Sequence, residues 1–321
     1  MRSVLPRLVA ALAIPALLLT ACASADTSGS GSKGSSASAA LDSIKVSGDV
    51  GTKPTVTLSA KPTTLSSSGS KVVTEGKGPK VTKGQEVTVD YVLLNGKDGS
   101  EADTSFGKSP ATFTADPAQL LPGLANGMIG KNIGSRVLVG IAPKDGFPGG
   151  QGNEQLGFGK DDALIFVLDL KTAVTPLPKA TGDPVTPKAG LPTVKENDKG
   201  VPVVTVPKTA APTKLVVQPL IKGKGAVVKS GQTITAAYVG VIYGTGKEFD
   251  SSYTSGVPLK QRIGVGALVP GFDKGIVGQT VGSRVLLVLP PDEGYGKSGN
   301  AQAGIKGTDT LVFVVDILAA A

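Results

Sequence analysis

Histidine and tryptophan are absent from this 321-residue chain, cysteine occurs once, and aromatic residues make up 4% of it. Each scarcity removes a class of chemistry. Without histidine there is no Ser-His-Asp triad, no Cys-His pair, no H-E-x-x-H zinc site and no imidazole acid or base. A single cysteine forbids an internal disulfide and a thiolate zinc cage. What remains must run on carboxylates, hydroxyls, lysines, backbone amides or a shaped apolar surface. Glycine and proline, by contrast, are plentiful at 44 and 23 residues. Lys and Arg outnumber Asp and Glu by 33 to 25, a formal charge of +8, and the length suits about two domains.

The few aromatics are unevenly placed. All five Tyr and eight Phe fall in Tyr91 to Phe166 or in Tyr238 to Phe313. Large aromatic side chains dominate core burial, so the distribution points to two compact domains joined by thinner material.

The N-terminus carries Arg2 and Arg7, then an apolar run from Leu8 to Leu19, then Thr20-Ala21-Cys22. A basic start, a short apolar stretch and a small residue before the cut describe a secretory signal over 1–21. The run is too short to span a bilayer comfortably. Leu19-Thr20-Ala21-Cys22 resembles a bacterial lipobox, in which the cysteine thiol receives a diacylglycerol. That resemblance makes Cys22 the lipidation site and places the protein at the cell membrane, lipid-anchored on the extracytoplasmic face. Cleavage would take the formal charge from +8 to +6. Residues 22–40, nearly all Ser, Gly, Ala, Asp and Thr, read as a flexible tether.

The two aromatic blocks repeat one another at an offset of 147 or 148. Gly76-Lys77-Gly78 matches Gly223-Lys224-Gly225, Tyr91 matches Tyr238, Asp103 matches Asp250, and Pro122-Gly123 matches Pro270-Gly271. The pattern Gly-x-x-x-Gly-Ser-Arg-Val-Leu occurs nearly verbatim within Ile129 to Leu138 and Val277 to Leu286. So long a period means tandem domains, not a solenoid. The repeat begins upstream of the aromatics, at 53–58 and 201–206, so each unit starts with an aromatic-free β-like extension. The predicted organisation is a first domain over 41–172, a Pro-rich semi-rigid linker over 173–192 and a second domain over 193–321 with its core at 223–318.

Alternation predicts strands over 87–93 and 233–241. Apolar runs predict further strands over 135–143 and 283–290, and half-buried strands over 164–170 and 311–317. One short helix per unit is expected, over 123–129 and 271–277, each stopped by Gly130 or Gly278. The fold class is α+β, each domain a mostly antiparallel sheet wrapped on one short helix.

In the second unit Tyr238 is followed by Phe249-Asp250-Ser251-Ser252, then Leu268-Val269-Pro270-Gly271-Phe272, then Gly294-Tyr295-Gly296, then Leu311-Val312-Phe313. This order and spacing resemble the FKBP-type peptidyl-prolyl cis-trans isomerases over 223–318. Taken singly, each residue has a plainer reading: Tyr238 and Phe313 as strand core, Asp250 as a turn residue, Tyr295 as a loop residue. Their joint order carries the resemblance. It implies that Tyr238, Phe249, Phe272 and Phe313 form a pocket for the proline ring. Leu268 and Val269 would offer packing and a backbone N–H, Asp250 a polar edge, and Tyr295 a hydroxyl to a substrate carbonyl. Ile305 would lie in the flap beside the site. Phe272 stands where many members have tryptophan, and Gly299-Asn300-Ala301 where a histidine is common. The reaction suits a chain poor in nucleophiles, because rotating an amide breaks no bond.

The first unit keeps Tyr91, Asp103, Leu120, Leu121 and Phe166, but has Ala102 for the phenylalanine before the aspartate, Leu124 at the pocket floor and Phe147 for the flap tyrosine. These changes predict a wider, softer pocket with weak or absent activity. The resemblance implies proline-containing exported polypeptides as substrates and FK506-like macrolides as candidate ligands, with no cofactor and no metal. Nucleic acid is not an expected partner, since arginine clusters interleaved with aromatics are missing. The alternative function is a non-catalytic lipoprotein scaffold that binds proline-containing segments.

Overall fold

The computed structural model describes residues 37–321, so the signal-like segment 1–21, Cys22 and the tether up to residue 36 lie outside the described residues. Two compact units meet between Thr175 and Pro176. The first contains α1 (Ala37–Asp42), β1 (Ile44–Ser47), β2 (Thr55–Leu58), β3 (Gly69–Thr74), β4 (Glu86–Asn95), β5 (Glu101–Thr104), β6 (Ala111–Thr114), α2 (Pro122–Met128), β7 (Arg136–Ile141), α3 (Pro143–Gly146) and β8 (Leu164–Val174). The second contains β9 (Gly182–Pro184), β10 (Thr193–Glu196), β11 (Pro202–Thr205), β12 (Val216–Gly223), β13 (Thr233–Ile242), β14 (Glu248–Ser251), α4 (Ser252–Ser255), β15 (Leu259–Arg262), α5 (Pro270–Ile276), β16 (Arg284–Leu289) and β17 (Leu311–Ala320).

The main sheet of the first unit has the order β3-β7-β8-β4-β5, with β6 also on β4; that of the second has β14-β13-β17-β16-β12-β9, with β15 also on β13. All pairings are antiparallel. A long strand therefore carries two short ones on one edge: Thr233 to Ala236 pairs with β15, and Val239 to Val241 with β14. A bulge at the β14 pairing leaves Phe249 unpaired between Glu248 and Asp250, and Ala102 takes the same place on β5. Bulges re-aim side chains, and this one puts two neighbouring residues at the pocket edge.

Helices α2 and α5 begin at proline, whose missing N–H would be unsatisfied there in any case. Each is followed by a glycine at positive φ, Gly130 or Gly278, as the sequence predicted. Leu124 and Met128 of α2 lie in one buried cluster with Val89, Val139 and Phe166, and Phe272 and Ile276 of α5 lie with Leu287, Phe313 and Val315.

The strands predicted to be half-buried are buried on both faces. Leu164, Phe166 and Leu168 point toward α2, while Ile165 and Val167 pack with Leu41, Ile44 and Leu58 of the N-terminal extension. In the second unit Val312 and Val314 pack with Val194 of β10 and Val204 of β11. An uninterrupted apolar run is the mark of a strand covered on both sides, and each unit supplies the cover from its own extension.

The nearly verbatim repeat has a structural basis. Ser135 and Ser283 accept hydrogen bonds from the Gly76 and Gly223 amides at 2.8 and 2.9 Å. Arg136 forms a two-point ion pair with buried Asp169 at 2.6 and 2.7 Å and donates to the carbonyls of Gly48, Asp49 and Thr52 in the β1–β2 turn. Arg284 pairs likewise with Asp316 and reaches Glu196 of β10 at 2.7 Å. The buried charges are retained because their donors are matched, and the match ties each extension to its sheet.

Two expected boundaries shift. The flexible tether was to run through residue 40, but Ala37 already begins α1, with Ala37, Ala40 and Leu41 buried. The segment 173–192 is extended, yet it starts within β8 and continues along the second unit. Leu177, Thr181 and Val185 donate to the carbonyls of Leu318, Gly282 and Leu220 at 2.8 to 2.9 Å, and β9 pairs with β12.

Candidate functional site

In the second unit, β13 supplies Tyr238, β14 supplies Phe249 and Asp250, α5 supplies Phe272, and β17 supplies Phe313. The side chain of Phe313 is the hub. Phe272 and Phe249 meet its ring edge-on, with centroids 5.4 and 5.5 Å away, and Tyr238 lies tilted at 6.3 Å. Edge-to-face pairs are the favoured aromatic geometry and add about 0.5–1.5 kcal/mol each beyond their burial. Phe272 and Phe313 are buried while Tyr238, Phe249, Leu268 and Val269 are only half-buried, so the cluster opens to solvent through these four. Ile305 is buried in the same cluster.

Space for Phe249 comes from Gly240 on the neighbouring strand. A Cβ there would fall 2.6 Å from the Phe249 ring and 3.1 Å from the Phe313 ring. Gly240 was not singled out in the sequence, although a glycine inside a strand signals close approach.

The Tyr238 hydroxyl donates to the Asp250 carboxylate. Burial, then this hydrogen bond and the Asp250 charge, with Tyr295 adding a smaller effect, raise the pKa of Tyr238 above its ordinary value, so it remains a donor. Among the described residues Asp250 has no other hydrogen-bond donor, which leaves it acceptor capacity. Ser252 fixes this pair from behind: its Oγ accepts from the Tyr238 amide at 2.8 Å. Tyr295 stands 38% exposed and its hydroxyl makes no hydrogen bond among the described residues. The structure thus brings Tyr238, Phe249, Leu268, Val269, Phe272, Ile305 and Phe313 into one packed group, with Asp250 on its polar edge.

The first unit has the same frame and a different filling. Tyr91 donates to Asp103 as Tyr238 does to Asp250. Asp103, however, also accepts from the Thr104 amide at 2.8 Å and from Lys108 Nζ at 3.2 Å. Burial works to raise the Asp103 carboxyl, but the bonds from Tyr91, Thr104 and Lys108 outweigh it and hold the pKa below its ordinary value. Tyr91 itself is raised, by burial first and by Asp103 second.

The small residues behind the expected wider, softer pocket have larger neighbours packed beside them. Leu93 occupies the strand position of Gly240, and its buried side chain compensates for Ala102 in place of Phe249. Phe113 lies 6.1 Å from Tyr91, and Phe166 lies 6.2 Å away on β8. Phe147 is turned inward, 7% exposed, with its ring 5.8 Å from Phe158, which is 2% exposed. Phe158 takes the place of Ile305, each closing the same isolated bridge, to Asn153 or Asn300. Leu121 and Leu124 are buried in this cluster and Leu120 packs against it. Leu93, Phe113 and Phe158 pack beside the small residues at the expected wall and floor. Only the comparison of Leu93 with Gly240 and Phe158 with Ile305 in the repeat alignment carried a signal for this.

Comparison with known proteins bears on both units. The family model described as FKBP-type peptidyl-prolyl cis-trans isomerase matches residues 78–171 and again 225–318. The FK506-binding protein of Streptomyces anulatus is 38% identical over 118 residues, which is 37% of this chain and 95% of that protein. The probable FK506-binding protein of Corynebacterium glutamicum is 37% identical over 119 residues, 37% of this chain and 98% of its own length. The FKBP-type peptidyl-prolyl cis-trans isomerase FkpA of Escherichia coli strain K12 is 41% identical over 106 residues, 33% of this chain and 37% of FkpA. A crystal structure of AtFKBP13 matches with 35% identity over 35% of this chain and 96% of its own, at a TM-score of 0.32.

Proposed function

The chain belongs to the FKBP-type peptidyl-prolyl cis-trans isomerase family, and from that premise we propose that isomerisation takes place in its second unit, on proline-containing segments of exported proteins. The observation that carries this assignment is the contrast at the repeated site. The aromatic cluster around Phe313 reaches solvent through half-buried Tyr238, Phe249, Leu268 and Val269, whereas around Phe166 the corresponding Tyr91 and Leu121 are buried and only Ala102 and Leu120 are half-buried.

The chemistry follows from the amide. Resonance sets a rotation barrier of about 18–20 kcal/mol, and the barrier falls when the twisted form is bound better than the planar one. Twisting removes charge separation along the C–N unit, so an apolar pocket built on Phe249, Phe272 and Phe313 favours it. Asp250, with one donor already bound, supplies the polar edge near the rotating carbonyl. Tyr295 offers an unengaged hydroxyl to a neighbouring peptide carbonyl. The first unit keeps the fold and serves as a non-catalytic module or spacer. Macrolides of the FK506 type are ligands for the open pocket, a reading supported by the names of the two actinobacterial relatives. The lipobox-like Leu19-Thr20-Ala21-Cys22 supports anchoring at the extracytoplasmic face of the membrane.

A protease-coupled cis/trans assay on the full chain tests the assignment. Asp250→Ala is expected to lower kcat/KM at least about tenfold, the equivalent of one lost transition-state contact of about 1.4 kcal/mol, and Asp103→Ala to leave it unchanged. Equal losses from the two substitutions would overturn the division of labour. For the anchor, Cys22→Ser is expected to release the protein from membranes, and retention would refute lipidation at that residue.

A further inference from the structure

Behind β14, on the face of the sheet away from the aromatic cluster, the second unit has a contact that the first lacks. Tyr253 lies in α4, which follows β14 without a break, so it stands three residues beyond Asp250. Its hydroxyl donates to Asp316 Oδ2 at 3.0 Å. Asp316 is the buried partner of Arg284, and Arg284 in turn holds Glu196 at the end of β10. A chain of hydrogen bonds thus runs from the extension hairpin through a buried ion pair to the turn that carries the polar edge of the site. Burial, then the charge and hydrogen bond of Asp316, raise the Tyr253 pKa against a smaller opposing effect of Arg284, so the hydroxyl stays protonated and donating at neutral pH.

Packing contributes as well, since Tyr253 lies against the apolar cluster that contains Val239, Val241 and Val314. A groove of about 350 Å³ separates β11 from β14 and α4, lined by Val203, Val204, Val239, Val241, Glu248 and Tyr253, among others. Ser252 binds α4 to the Tyr238 backbone, and the bond from Tyr253 to Asp316 is a second side-chain tie, the one that reaches the buried ion pair. In the first unit the corresponding position is Phe106, which has no hydroxyl and packs on the apolar cluster of the extension. There the same carboxylate oxygen, on Asp169, accepts instead from the Gly51 amide at 2.6 Å. The tie from the site turn to the buried carboxylate therefore exists in the second unit and is absent from the first, while the serine tie is common to both.

We infer that Tyr253 is a positioning residue for the isomerase site, holding Asp250 in place by anchoring α4 to the Arg284–Asp316–Glu196 network. The extension hairpin is then part of the catalytic unit and not merely a cover for the sheet. The inference rests on the assignment of the site to Tyr238 and Asp250, and it is tested separately from that assignment by a double-mutant cycle.

In the full chain, Tyr253→Phe is expected to lower kcat for a proline-containing tetrapeptide by about three- to tenfold, the net value of one hydrogen bond, with little change in KM. In an Asp250→Ala background the same substitution is expected to cost nothing further, because it acts through Asp250. Glu196→Gln, at the exposed end of the network, is expected to give a smaller loss of about twofold that also vanishes in that background, and it decides the matter if Tyr253→Phe does not fold. A loss that persists without Asp250, or no loss in its presence, overturns the inference while leaving the site assignment intact. If Asp250→Ala itself leaves the rate unchanged, both fall together.

Discussion

Both units hold a Tyr–Asp hydrogen bond over a phenylalanine on the central strand, and both clamp an N-terminal extension with a buried Arg–Asp pair. They part at a handful of positions that change in concert. Gly240 with Phe249 becomes Leu93 with Ala102, Ile305 becomes Phe158, and an exposed Tyr295 becomes an inward Phe147. Volume removed in one place is returned in another, as close-packed interiors require. The lesson is that the filling of a site can be exchanged on a robust frame without disturbing the frame. The polar edge changes in the same sense, since Asp103 is occupied by three donors and Asp250 by one.

The largest effect expected on this comparison concerns the shared frame. Arg136→Met takes the cation from buried Asp169, which keeps only the Gly51 amide, and strips three turn carbonyls of their donor, which should cost about 3–5 kcal/mol in urea unfolding of the first unit. Arg284→Met should cost the second unit less, because Asp316 likewise keeps one donor, Tyr253, while the other group released, Glu196, is 46% exposed at its side chain and returns to water. Equal losses would show that the two clamps are energetically the same despite their different partners.

How far this could be read from the sequence depends on what each residue's partner was. Order along the chain was readable: the repeat, the strands and the two Pro-started helices follow local patterns, and the residues Tyr238 to Phe313 were named from the family resemblance of their order. The pairing of Gly240 with Phe249 was not, because a strand glycine says only that something approaches, and the bulge that aims Phe249 at it is a tertiary feature. The packing around the first site was not legible for the same reason. Ala102 and Leu124 were visible as losses, but Leu93, Phe113 and Phe158 looked like ordinary core residues until the sheet placed them beside Tyr91 and Phe147. The Arg in the verbatim Gly-Ser-Arg-Val-Leu repeat carried a strong signal without a stated reason. Its partners lie 32 to 88 residues away, beyond any local pattern.

Next in size is the conversion of one filling into the other. Gly240→Leu combined with Phe249→Ala gives the second unit the wall of the first. It should lower kcat/KM about a hundredfold, or about 2.7 kcal/mol of transition-state stabilisation, while the urea midpoint stays close to wild type. A rate near wild type would mean that Phe249 is dispensable to the pocket. A smaller effect separates the flap residues. Tyr295→Phe should cost about 1 kcal/mol in kcat/KM, the value of one hydrogen bond to substrate, and nothing in stability, since the hydroxyl binds no partner among the described residues. Phe147→Tyr should do the reverse, leaving the rate unchanged and weakening the first unit by adding a hydroxyl at a 7% exposed position.

The smallest effect expected belongs to pH. Asp103 is held below its ordinary pKa in the folded chain by Tyr91, Thr104 and Lys108, against the opposing influence of burial. A carboxylate with a depressed folded pKa adds stability that is fully present above its unfolded value, about 3.9, and is lost as the pH falls through the folded value. Asp103→Asn removes that contribution. The variant should therefore be less stable than wild type at pH 7 and at pH 5, with the difference shrinking below about pH 4 as the wild-type carboxylate itself takes up a proton. Urea midpoints measured across this range check the sign. A gap that stays constant down to pH 2 would mean that shape, not charge, is what Asp103 contributes, and that its three donors do not distinguish the first site from the second.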